Sequence, residues 1–140
     1  MKLSNLPAAA GELIAGCQVW EQFGMVLSPR QAVMLAQHQA AALLDTGRID
    51  FGGGGLKKLA DAFCGSSYIQ PADWAGTLAE LTTIFYVLKN KTRDLVGDDA
   101  LIAAMAARFQ TVGGSLEALA STEPIRFLRN AAERNDGHAF

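Results

Sequence analysis

Cysteine is scarce in this sequence, with only Cys17 and Cys64 among 140 residues, no Cys-x-x-Cys pair and no histidine at ligand spacing. Neither a disulfide framework nor a metal site is therefore expected, and both cysteines, set in apolar patterns, read as reduced core residues. Long apolar runs are missing too: no stretch of about eighteen apolar residues exists for a membrane-spanning helix. Charge of a single sign is also lacking. The formal net charge of -2 and the pI near 5.6 give no overall pull toward phosphate backbones or anionic lipid, so neither nucleic acid nor membrane is expected as a partner. Strand signals are the last absence, because only Met25 to Leu27 and Ile49 to Phe51 offer short apolar candidates and no internal repeat is found.

What is present is half hydrophobic and periodic at helical spacing, which predicts an all-α fold: a single helical domain over residues 1–140, a bundle of about seven unequal helices with both tails frayed. Leu13, Cys17, Trp20 and Phe23 mark one face of a first helix over residues 8–23, closed by Gly24. Leu13 to Cys17 has the look of a lipoprotein cleavage box behind Lys2. Asn5, Pro7 and Glu12 break the apolar stretch that a signal peptide needs, so a buried helical cysteine is expected instead. Ser28-Pro29-Arg30-Gln31 spells a capping box, and Val33, Ala36, Ala40, Leu43 and Leu44 predict the inner face of a helix that stops at Gly47. His38 lies off that stripe and reads as a surface or boundary residue.

Further along, Leu56, Leu59, Ala60 and Phe63 follow amphipathic helical spacing, and Gly65 closes that helix. Tyr68 and Ile69 anchor a loop before Pro71 restarts the helical pattern. Trp74, Leu78, Leu81, Phe85 and Leu88 alternate steps of four and three, the pattern of a central helix lying in a bundle seam. Lys89 to Arg93 reads as a solvated basic end that suits the helix dipole. Gly97 or Asp98 caps the next helix, which turns Leu101, Ile102, Met105 and Phe109 inward; Asp98-Asp99 lacks the alternating acids of a calcium loop. After Gly113-Gly114 come a short helix with Leu116 and Leu119, and a last one with Ile125, Leu128 and Ala132 inward.

The least ordinary stretch is Gly47 to Lys58, where four consecutive glycines, Gly52 to Gly55, precede a lysine pair at a helix start. A phosphate loop of the P-loop kind needs a preceding strand and a Lys-Ser/Thr pair, and neither occurs here. What survives is an anion site. Free backbone amides at a glycine-rich helix entry, with charge from Arg48, Lys57 and Lys58, could hold a phosphate or carboxylate; Asp50, Gly52, Gly53, Gly54 and Gly55 complete the candidate set. The structural alternative is that Phe51 enters the core and the glycines permit a sharp turn.

Gly47-Arg48-Ile49-Asp50-Phe51-Gly52-Gly53-Gly54, followed by Ala62-Phe63-Cys64, Ser67-Tyr68-Ile69, Glu80-Leu81, Lys89-Asn90, Asp98-Asp99 and Gly114-Ser115-Leu116-Glu117, resembles a family of bacterial proteins of unknown function. The resemblance covers roughly residues 17–119 and implies a cytoplasmic protein. It carries no catalytic residues, and Gly65-Ser66-Ser67 departs from the acid and proline of that pattern.

His38, Asp50, Cys64, Glu80 and Tyr86 are polar enough for catalysis, yet none stands in a catalytic motif. Glu80 and Tyr86 point to different sides of their helix. No catalytic residue and no cofactor is expected. A helical interaction or regulatory module fits the alanine-rich faces best, with a protein partner or self-association; a protein binding a small anion through the glycine-rich loop is the alternative, and an enzyme of unknown reaction the third.

Overall fold

The capping box spelled by Ser28, Pro29 and Gln31 opens helix α1, Pro29–Asp45. The Ser28 hydroxyl accepts from the Gln31 amide at 3.1 Å while Gln31 Oε1 accepts from the Ser28 amide at 2.9 Å, so two otherwise orphaned donors are satisfied. The structure is a computed structural model that describes residues 20–48, 55–93 and 95–127. Gly47, at a φ of 67°, ends α1 in the left-handed region where glycine is favoured.

Four further helices follow: α2 Gly55–Phe63, α3 Trp74–Lys91 after a 3-10 turn at Pro71–Asp73, α4 Asp98–Thr111 and α5 Leu116–Ala120. Trp20 and Glu21 end a helical segment ahead of α1, residues 124–127 are again helical, and no strand occurs among the described residues, so the fold is all-α. The first helix before Trp20, with Leu13 and Cys17, lies outside the described residues, as do Ile49 to Gly54, the helix positions Leu128 and Ala132, and both tails.

The seam of α3 is buried as its spacing predicts. Trp74, Leu78, Leu81, Phe85 and Leu88 have essentially no exposed surface, and each such side chain contributes about 1.5–3 kcal/mol of burial. Leu56, Leu59, Ala60 and Phe63 of α2, and Leu101, Ile102, Met105 and Phe109 of α4, close over it. Edge-to-face ring pairs knit these layers: Trp20 with Trp74 at 6.2 Å and Phe63 with Phe109 at 5.4 Å between centroids. The indole Nε1 of Trp20 donates to Asp61 at 2.7 Å, whereas the buried Nε1 of Trp74 has no partner among the described residues.

Cross-helix contacts set the directions. His38 meets Thr83, Gln39 donates to Tyr86 and Asn90 donates to the Thr46 carbonyl, so residue numbers rise together and α1 runs parallel to α3. Lys58 meets Asp99, Phe63 meets Phe109 and Gln110 donates to Ser66, so α2 runs parallel to α4. Lys89 of α3 meets Asp98 of α4 across the connecting loop, which makes that pair antiparallel. The C-terminal ends of α1 and α3 and the N-terminal ends of α2 and α4 consequently gather at one pole.

The structure corrects several faces. Val33 and Leu44 point outward, and the inner face of α1 is instead Ala32, Leu35, Ala36, Gln39, Ala42 and Leu43. Phe23 and Ile125 are exposed while Phe127 is buried. Apolar residues on both sides of a helix leave periodicity unable to say which side meets the neighbour. Lys89, expected in a solvated end, is buried at 6% exposure.

Candidate functional site

The pole where four helix ends gather holds every described member of the sequence-derived anion set. Arg48 follows α1, Gly55 begins α2, and Lys57 and Lys58 occupy its first turn. Asp50, Gly52, Gly53 and Gly54 lie outside the described residues. The cations are engaged in protein contacts. Arg48 donates through Nη1 to Asn90 Oδ1 at 2.8 Å, Lys57 pairs with Asp61 at 2.8 Å and Lys58 with Asp99 at 3.1 Å. Lys89 sits below them, pairing with Asp98 at 2.9 Å and donating to the Val96 carbonyl at 2.9 Å.

These pairs differ in weight. The Lys57 and Lys58 pairs are solvent-exposed, and such pairs contribute about 0–1 kcal/mol. Lys89 is another matter, because a buried ammonium needs its partners; Asp98 and the Val96 carbonyl supply them and pin the loop between α3 and α4. Asp98 and Asp99 occupy the first turn of α4, where the dipole favours acids, while Gly97 is the cap residue. Asp61 is a member of this network that went unnoticed in the sequence, although its i, i+4 spacing from Lys57 was a usable signal. The Lys89 pair had no such signal, because the turn that folds Asp98 back over α3 is a tertiary event.

The candidate catalytic residues scatter. His38 Nε2 lies 2.7 Å from the Thr83 hydroxyl, and Tyr86 accepts from Gln39 at 3.1 Å in the α1–α3 interface. Glu80 is exposed on α3, and Cys64 is buried after α2 with its Sγ donating to the Asp61 carbonyl at 3.4 Å. Burial, and secondly the charge of Asp61, push the Cys64 thiol up from its ordinary range, which keeps it a poor nucleophile. Asp50 lies outside the described residues, and among the other four no nucleophile, base and orienting group converge.

Two surface features remain. A groove of about 420 Å³ lies between the C-terminal halves of α2 and α4, lined by Ala62, Phe63, Ser66, Ala106, Ala107 and Gln110, with no titratable group among its described lining residues. The second is the outer face of α1, where Met34 is 60% and Leu44 74% exposed, with Val33 beside them. Arg30 and Asp45 stand at the two ends of that face, both exposed and neither in an ion pair among the described residues.

Compared with known proteins, the chain belongs to a family of unknown function (DUF6323), whose pattern matches residues 12–137. That span extends past both ends of the resemblance at residues 17–119. No curated protein and no solved structure matches the chain.

Proposed function

We propose that this member of a family of unknown function is a helical interaction module without a catalytic centre of its own, and that its contact surface is the outer face of α1. One observation carries the proposal: α1 already buries a complete inner face against α3, yet it turns Val33, Met34, Ala41 and Leu44 to solvent. A surface helix ordinarily has one apolar stripe facing the core and a polar opposite side. A second apolar stripe on the outside makes sense when another surface covers it.

The test is site-specific cross-linking. A photoreactive residue in place of Ala41 should give discrete protein adducts in an extract of the source cells, and one in place of the exposed Glu80 should not. Equal labelling at both positions, or none at Ala41, would remove the α1 face from consideration.

A second reading has its own observation, the parallel α2 and α4 presenting two helix N-termini at the basic pole, where backbone amides favour an anion. It is the weaker of the two because Arg48, Lys57 and Lys58 already spend their hydrogen bonds on Asn90, Asp61 and Asp99. Inorganic phosphate that raised the melting temperature, with the rise lost in Lys58→Gln, would favour this second reading. An unmoved melting temperature would rule it out for phosphate.

A further inference from the structure

We infer that the occupant of the outer α1 face is a second copy of this chain, packed as an antiparallel α1–α1 pair about a two-fold axis; this rests on the reading of that face as a contact surface. Arg30, Met34, Gln37, Ala41, Leu44 and Asp45 are all exposed. At about 100° per residue they fall within an arc of about 100°, and at about 1.5 Å per residue they form a stripe about 22 Å long. Its ends are oppositely charged, and between them Met34, Ala41 and Leu44 are apolar around the polar Gln37.

The charged ends and the Met34–Ala41 pair are self-complementary under a two-fold axis between positions 37 and 38. That operation exchanges 30 with 45 and 34 with 41, and it sets Leu44 beside Gln31 and Gln37 beside His38. Arg30 then faces Asp45 of the second copy, twice, and the long Met34 side chain faces the small Ala41, also twice. An isologous contact has this form, each residue meeting on the partner the residue that meets it in return. A parallel pairing would instead set Arg30 against Arg30 and Asp45 against Asp45, like charges that oppose association.

The helix dipole points the same way. α3 carries Lys89 and Lys91 in its last turn and α4 carries Asp98 and Asp99 in its first, both in the sense that the dipole favours. α1 does the reverse: it has no acid in its first turn and no base in its last, with Arg30 near the start and Asp45 at the end. Within one copy that placement opposes the dipole. Beside an antiparallel neighbour, Arg30 lies at the C-terminal end of the partner helix and Asp45 at the partner's N-terminal end, so both charges find the favourable pole. A single helix pair of this length belongs to the small class of interfaces, so a dissociation constant of roughly micromolar order is expected.

Sedimentation equilibrium of the full chain, from sub-micromolar to hundreds of micromolar at low salt, reads the mass directly. The expected result is a shift from one to two chains with concentration. Met34→Glu should abolish the shift by setting a charge against Ala41 twice near the axis, and Arg30→Glu or Asp45→Arg should weaken it about tenfold by setting like charges together. The double variant Arg30→Glu with Asp45→Arg should restore most of the lost affinity, which a non-specific apolar contact would not do. All these positions are exposed, and a thermal melt confirms that each variant is folded. A chain monomeric at every concentration, or a dimer indifferent to the charge swap, overturns the proposal. If the chain is monomeric while the Ala41 cross-link captures a different protein, the contact face stands and the second copy is wrong; if the chain is monomeric and Ala41 gives no adduct, both fall.

Discussion

The basic pole and the outer face of α1 are opposites in how they meet solvent. At the pole, Lys57, Lys58 and Lys89 each have an acidic partner within about 3 Å, and Arg48 is held by Asn90. On α1, apolar side chains lie open and the two end charges have no ion-pair partner among the described residues. The pole looked functional in the sequence because charge and glycine are conspicuous there, and the structure uses the described charge to tie helix ends together. The α1 face looked ordinary, as part of a helix core. The conspicuous described residues hold helix ends together, whereas the ordinary ones on α1 are those that carry the proposal of a contact surface.

The sharpest way to break this contrast is to compare adjacent residues of α1. Leu35→Ala should cost about 2–5 kcal/mol in urea unfolding because Leu35 is buried against α3, while Met34→Ala should stay within about 0.5 kcal/mol in dilute protein. Equal costs would mean that the two faces are not distinct. At the pole, Lys89→Ala should cost about 1–3 kcal/mol, since the buried Val96 carbonyl loses its donor and Asp98 its cation; Lys58→Gln, exposed and singly paired, should cost less than about 1 kcal/mol. If the order of those two reversed, the pole would not be held by the buried pair.

A smaller effect concerns the dipole. Arg30→Glu, measured in protein dilute enough to be monomeric, should stabilise by about 0.3–1 kcal/mol, because it places an acid in the first turn of α1. Destabilisation there would show that Arg30 has a role within one copy. The smallest effect is alkaline. Because the folded Cys64 thiol holds its proton above the range of a free one, its contribution is complete below a pH of about 8.5, where the unfolded thiol ionises, and is lost as pH rises through the folded value. Stability between pH 7 and 9.5 should therefore fall more steeply in the native chain than in Cys64→Ala. Identical slopes would remove Cys64 as a contributor.

Much of the fold was legible because helical spacing, capping chemistry and glycine are local. Ser28 with Gln31, the buried series from Trp74 to Leu88, the α2 face from Leu56 to Phe63 and the left-handed Gly24 and Gly47 all stand where the pattern puts them. Legibility ended where a helix is apolar on more than one side. In α1 the choice between Val33 with Leu44 and Leu35 with Ala42 depends on where α3 lies, and nothing within seventeen residues states that. The site followed the same division: the i, i+4 pair of Lys57 and Asp61 is a local fact, whereas Lys89 with Asp98 and Lys58 with Asp99 require α4 to fold back across the bundle.

By itself, then, the sequence determined the helices, their caps and the α3 seam, because those depend on interactions spanning a few residues. Tertiary structure alone decided that α1 and α3 run parallel, that Lys89 is buried, and that one apolar stripe of α1 is left facing solvent. Burial is a property of neighbours, and neighbours distant in the chain are chosen by the packing of whole helices.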